Sequence, residues 1–270
     1  MIKLLIFFIF LNYFLNEVNV GVLQCFNLTV TLHNVNSSSN NKLSKSFSNG
    51  NSLKKGRNYM ADKDKHEVSK NVPEWLDQVV CGLLLSDATL RFNGKHVLMG
   101  IQQTHEELTK KVWQMCFDFK LVLSDILIIQ RKKEKPVYSF QTLTLPYFTN
   151  IYNEWYYILD GKRFKKLPSN LEKLFTPLAF AFLIMGDGGW DKHSSRIVIS
   201  TNWFTLDETK KLQSILLIKF NINSYLVKTT NSAHLINRGY IIKIPHKEVY
   251  KVRELLLPYI YPTLQYKLGL

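Results

Sequence analysis

The sequence predicts an α+β fold. It is built as two pseudo-symmetric αββαββα repeats, each a curved four-stranded antiparallel sheet saddle with helices on one face, joined at two packed apolar helices. Three observations predict it. The stretch 178–189, LAFAFLIMGDGG, is an apolar run carrying the small residues Ala179, Ala181 and Gly186 and ending in Asp187. A looser copy at 79–88, VVCGLLLSDA, contains Gly82 and Ser86 and ends in Asp87, 100 residues earlier. The same register then holds at other landmarks. Thr109-Lys110-Lys111-Val112 recurs as Thr209-Lys210-Lys211-Leu212, Gln102-Gln103 is answered by Thr201-Asn202, and Leu145-Pro146 by Ile244-Pro245. Two long copies indicate a pseudo-dimer within one chain rather than a stacked array.

Each element follows from local signals. In the first copy the apolar helix runs over 74–86, followed by a short strand near 88–92 and a second at 96–103. A helix over 105–119 starts after Thr104, with Glu106 and Glu107 in its first turn. A hairpin pairs Asp125–Arg131 with Val137–Thr142 across the polar tip 132–136. A helix from Pro146 to about Leu159 closes the copy, with Pro in its first turn, and a basic connector, 161–166, leads on. The second copy repeats the order: a helix from Pro177, strands at 188–192 and 196–202, a helix at 206–219, strands near 224–229 and 239–244, and a helix from Pro245. Helices on one side of each sheet leave its other face free for a ligand.

Small residues let two helices approach closely. If the two apolar helices pack together, Asp87 and Asp187 arrive at the same end, which is the negative pole of both helix dipoles. Two carboxylates there are tolerated only with a shared proton or with cations. Hard divalent ions that take oxygen ligands fit, Mg²⁺ first because it partners phosphates. For either segment alone, the plainer reading is a core helix ended by an Asp-Gly turn. The presence of a second copy weighs against it.

Composition narrows the partner. The 270 residues are 46% hydrophobic and 13% aromatic, enough for one large or two medium domains. A net charge of +14 and a pI near 9.5 favour an anionic partner, nucleic acid before a membrane surface. Of that charge about +5 lies in 1–70 and +9 in 71–270, so the folded part is basic in its own right. The 28 Lys against 7 Arg fit an AT-rich coding genome. Residues 1–20 are very apolar behind Lys3, with the shape of a signal peptide, a short membrane segment, or a leader outside the fold. Residues 34–70 are Asn-, Ser- and Lys-rich and read as a flexible extension, so the folded unit is expected to begin near Pro73. This gives an extension at 1–70, repeat 1 at 71–164 and repeat 2 at 165–270. Cys25, Cys81 and Cys116 are too few and too scattered for a disulfide framework or a cysteine metal site. His96, His105, His193, His234 and His246 have neither triad nor zinc spacing and read as ordinary residues.

With these residues in place the chain resembles the LAGLIDADG homing endonucleases of the single-chain, double-motif type encoded in organellar introns. The resemblance runs from about 73 to 270. It rests on Cys81–Ala88, on Met185-Gly186-Asp187-Gly188-Gly189-Trp190, on Lys165-Lys166-Leu167-Pro168 with Thr176-Pro177, and on Tyr266-Lys267-Leu268. The chain departs from the family pattern at Gly186, where an acid pair is common. The resemblance implies a monomeric nuclease that cuts both strands of a long, asymmetric double-stranded DNA site. Each sheet would lie in a major groove, where base edges are distinguishable. Asp87 and Asp187 would hold Mg²⁺, for which Mn²⁺ can substitute, with Ser86 and Gly186 alongside them. Lys165 and Lys267 would be the basic catalytic residues, one per half, and Gln103 and Asn202 would orient solvent. Strand alternation puts Ser139 and Gln141 on the DNA face, and similar reasoning nominates Arg91, Gln130, Arg131, Arg196, Lys228, Arg238 and Lys243. The implied setting is an organelle, the mitochondrion first. Two rival readings remain: an RNA maturase of the same fold that binds host intron RNA without cleavage, and a membrane-associated basic protein.

Overall fold

The computed structural model describes residues 60–130, 132, 134–229 and 239–270. The apolar leader, most of the polar extension, Cys25, Arg131, His234 and Arg238 lie outside the described residues.

Two helices form the axis of the fold. The first spans Glu74–Leu85 and the second Pro177–Asp187. Every residue from Ala179 to Met185 is buried, as expected for a helix that is apolar all round. Thr176 opens the second helix: its Oγ1 accepts from Ala179 N at 3.4 Å and donates to Gln78 Oε1 of the first helix at 2.7 Å. Gly82 sits where the two helices touch, and a Cβ there would lie 2.6 Å from the Phe182 Cβ and collide with the Ala179 carbonyl. A Gly82→Leu substitution is therefore expected to cost about 3 kcal/mol or more, measured by denaturant unfolding.

In chain order the helices are α1 Asp62–Lys70, α2 Glu74–Leu85, α3 Glu106–Asp118, α4 Pro146–Trp155, α5 Leu171–Leu174, α6 Pro177–Asp187, α7 Leu206–Phe220 and α8 His246–Leu256, followed by a 3₁₀ helix at Pro262–Leu268. The strands are β1 Thr89–Asn93, β2 His96–Gln103, β3 Leu127–Ile129, β4 Val137–Gln141, β5 Tyr156–Leu159, β6 Lys162–Lys165, β7 Gly188–Asp191, β8 Arg196–Ile199, β9 Tyr225–Lys228 and β10 Tyr240–Ile244. The first sheet has the order β1-β2-β4-β3 and the second β7-β8-β10-β9, antiparallel throughout. The two orders are the same, so the predicted duplication is present in the topology. Leu90, Met99 and Ile101 point into the first half's core, and Ile197, Ile199, Ile242 and Ile244 into the second's.

Two segments differ from expectation. The closing helix of the first half ends at Trp155, and the connector after it is the hairpin β5–β6. Asp160 and Gly161 both have positive φ (49° and 70°), which suits a two-residue turn joining twisted strands. Tyr156 begins the hairpin. It stacks on Tyr152, and its hydroxyl accepts from Leu90 N at 3.2 Å. The folded part also begins before Pro73, with α1 inside the stretch expected to be flexible. No residue of α1 is buried, but Ser69 Oγ accepts from Tyr147 N at 3.2 Å and Val68 packs against the core. Among the described residues no helix is long and apolar enough to cross a membrane.

Candidate active site and nucleic-acid face

The paired helices α2 and α6 end side by side, and Asp87 and Asp187 stand there as predicted. Ser86 and Gly186 face each other across the junction. A Cβ on Gly186 would lie 2.6 Å from the Ser86 Cβ and 3.2 Å from Asp87 Oδ2. A side chain at 186 would therefore require Ser86 to shift. Burial raises the Asp87 carboxyl above its usual range, against the lowering pull of Lys267 and Lys165. Asp187 is pushed up to about 6, by burial first and then by the charge of Asp87.

Each helix end carries one lysine. Lys165, the last residue of β6, donates to Leu84 O at 2.5 Å and Ala88 O at 3.1 Å. Lys267, in the 3₁₀ helix, donates to Met185 O and Gly186 O, both at 2.6 Å. A cation at a helix C-terminus is favoured by the dipole. Burial nevertheless pulls both ammonium groups down to about 8, against the opposing pull of the two aspartates. The 3₁₀ helix is fixed in turn by Arg253, which donates to Leu268 O at 2.9 Å and Gly269 O at 3.0 Å and lies over the Trp190 ring.

Gln103 donates from Nε2 to Asp87 Oδ2 at 2.9 Å, while its Oε1 is buried without a partner. Asn202, its counterpart, also leaves Oδ1 buried and unpartnered. Beside Asp87 opens a cavity of about 450 Å³ lined by Gln103, Thr104, His105, Val137 and Gly186 among others.

These groups fit a hard divalent cation, which would neutralise two carboxylates that burial disfavours and draw on oxygen ligands. Among the described residues no cluster of three or more His, Cys, Asp or Glu side chains forms a self-sufficient metal site. Any ion must therefore complete its shell with carbonyl, water or substrate oxygens. The Ser86 hydroxyl donates back to Gly82 O at 3.0 Å, which leaves the oxygen's lone pairs for a ligand. Gly186 could offer only its carbonyl, which already accepts from Lys267.

Strand register sorts the nominated DNA contacts. Arg91 opposes Leu98, Ser139 opposes Gln102, and Gln141 opposes Gly100, so Arg91, Ser139 and Gln141 share the face turned away from Leu90 and Phe140. In the second sheet Lys243 opposes Val198 and Tyr225, and Arg196 reaches the Tyr225 hydroxyl at 2.6 Å across that same outer face. Lys228 is a correction. It opposes Tyr240, two residues from the buried Ile242, so its strand position belongs to the core-side face, where the ammonium lies over the Tyr240 ring. Gln130 follows β3 and donates to Glu134 O at 3.3 Å within the hairpin. Sequence reasoning passed over His105, which lines the cavity beside Asp87. The signal was its place immediately after Gln103-Thr104, at the cap position where the second half has Thr205.

The sequence pattern of the LAGLIDADG DNA endonuclease family matches residues 77–252. The chain is 31% identical over 201 residues to the cytochrome b mRNA maturase bI2 of Debaryomyces hansenii, covering 71% of this chain and 72% of the relative. It is 29% identical over 161 residues to the DNA endonuclease I-ChuI of Chlamydomonas applanata, covering 57% of this chain and 72% of that one. Its fold is similar to that of the homing endonuclease I-WcaI bound to its DNA recognition sequence, with a TM-score of 0.66, 24% identity, and 80% of this chain and 95% of that one covered. Helix pair, twin saddles and sequence pattern agree: the chain belongs to the LAGLIDADG DNA endonuclease family.

Proposed function

We propose that the chain is a site-specific, divalent-metal-dependent double-strand DNA endonuclease that promotes intron mobility. The observation that carries this reading is the meeting of Asp87 and Asp187, with a lysine on each helix end, at the joint between two sheets whose outer faces hold Arg91, Ser139, Gln141, Arg196 and Lys243. Repeat 1, residues 71–164, reads one half-site and repeat 2, residues 165–270, the other. Their sequences differ, so the target is long and asymmetric and a monomer suffices. Ser and Gln side chains can read base edges, while Arg and Lys also grip phosphates.

Asp87 and Asp187 hold Mg²⁺, or Mn²⁺ in its place, with the Gly186 carbonyl as a further ligand. Bound there, the ion supplies an activated water and charge neutralisation at phosphorus. Lys165 and Lys267, at about 8, are poised to take a proton from attacking water or to offset phosphate charge. Gln103 and Asn202 each keep a buried, unpartnered oxygen with which to orient a water admitted with the substrate. The names of the similar proteins support a mitochondrial setting.

A second reading has support of its own. A relative 31% identical is named a maturase, so host intron RNA is the alternative partner. The test presents the protein with the intron-less allele of its host gene, as duplex DNA with and without Mg²⁺, and with the intron RNA. The nuclease reading expects Mg²⁺-dependent cutting of both strands at one place. Tight RNA binding with an intact duplex would favour the maturase.

A further inference from the structure

The cavity beside Asp87 has one wall that no role above uses. His105 lines it together with Gln103, Thr104 and Gly186. It is the residue before α3, with extended backbone at φ −91° and ψ 100°, and its side chain caps nothing. The corresponding residue in the second half, Thr205, forms a full capping box with Glu208 at the start of α7. Thr is a favoured residue at that position and His is not, so the first half forgoes a cap where the second keeps one. A local rule broken on the rim of a site is where function is expected to show. The imidazole also has company suited to an anion. Burial, and after it Lys267 and Lys135, hold its pKa below the ordinary histidine range, leaving it uncharged at neutral pH with one N–H to donate.

We propose that His105 contacts substrate in the first half-site alone, donating a hydrogen bond to a non-bridging oxygen of the phosphate seated at Asp87. The second half has no imidazole at this position, because Thr205 is spent on its helix. The two strands are then cut by unlike sites. The inference rests on the nuclease reading and adds to it an unequal dependence of the two cuts on one residue.

The test is cleavage of a duplex carrying the target, with each strand end-labelled separately, by wild type, His105→Ala, His105→Gln and Thr205→Ala. His105→Ala is expected to slow one strand roughly tenfold to a hundredfold and the other less than about twofold. That strand must be the one slowed by Gln103→Leu, since both residues flank Asp87. His105→Gln keeps a donor and should recover most of the rate, and Thr205→Ala should favour neither strand. Equal slowing of both strands, no slowing, or slowing of the strand that Gln103→Leu spares would overturn the assignment of His105. A wild-type chain that cuts neither strand overturns the nuclease reading and this inference with it.

Discussion

The two halves share a strand order but complete their sites with different parts. For the first half's helix end the lysine comes from the end of the hairpin strand β6, where repeat 2 opens, and bridges the carbonyls of Leu84 and Ala88. In the second it arrives on a 3₁₀ helix anchored by Arg253 and grips the carbonyls of Met185 and Gly186. What the halves have in common is therefore a position, an ammonium on the carbonyls of a helix end beside a carboxylate, and not the element that delivers it. They also differ in how the carboxylates are held. Asp87 receives a hydrogen bond from Gln103 Nε2, and the Asn202 side chain is one methylene shorter, while both amides leave an oxygen buried and unpartnered. Duplication made the frame symmetric, and divergence made the two helix ends chemically unlike.

The lysines test that comparison hardest. Lys165→Met and Lys267→Met are each expected to slow cutting by roughly a hundredfold or more, and each chiefly on one strand. Strand-resolved rates that fall equally for both variants would break the idea of one lysine per half. With both ammonium groups near 8, lysines acting as bases make the wild-type rate rise through that pH and then level, each variant losing part of the rise. A fall through that pH would instead assign them to charge neutralisation.

A smaller effect separates the amides. Gln103→Leu should cost one strand about tenfold, since it removes the bond to Asp87, and Asn202→Leu should cost less on the other. Single-turnover rates at saturating Mg²⁺ measure both. The reverse order would mean that the hydrogen bond to Asp87 does not matter to the reaction.

The smallest effect is on stability without metal. Asp187 takes up its proton near 6 when folded and near 3.8 when unfolded, so its ionisation opposes folding above about pH 6 and does nothing below about pH 4. Asp187→Asn should therefore stabilise the metal-free protein at pH 7.5 by about 1–3 kcal/mol, with the gain fading toward pH 4. Thermal unfolding with chelator measures it. Adding Mg²⁺ should raise the wild-type Tm more than the variant's.

The axis of the fold was legible because it is written locally. Apolar runs with small residues ending in Asp87 and Asp187, and one register linking Thr109 to Thr209, mark the helices and the duplication. The hairpin β5–β6 was missed: the run from Pro146 looks helical to about Leu159, and only in the fold does Tyr156 leave the helix to stack on Tyr152. Helix α1 was not legible, since a mostly polar segment is held by tertiary contacts such as Ser69 to Tyr147. Lys165 and Lys267 are invisible to periodicity, lying far in sequence from the helix ends they bind, and only the family resemblance pointed to them. Lys228 was misplaced because its face depends on where β9 pairs with β10, which side-chain type does not reveal. His105 was passed over as a lone histidine, although its place after Gln103-Thr104 opposite Thr205 was a signal, and the cavity beside Asp87 gives it a neighbourhood.

The most direct test of the central claim is cleavage of the target duplex in Mg²⁺ by wild type, Asp87→Asn and Asp187→Asn, with binding measured alongside. The account predicts that both variants still bind the duplex and that neither makes the double-strand cut at a detectable rate. Wild-type cutting that persists in either variant would contradict it.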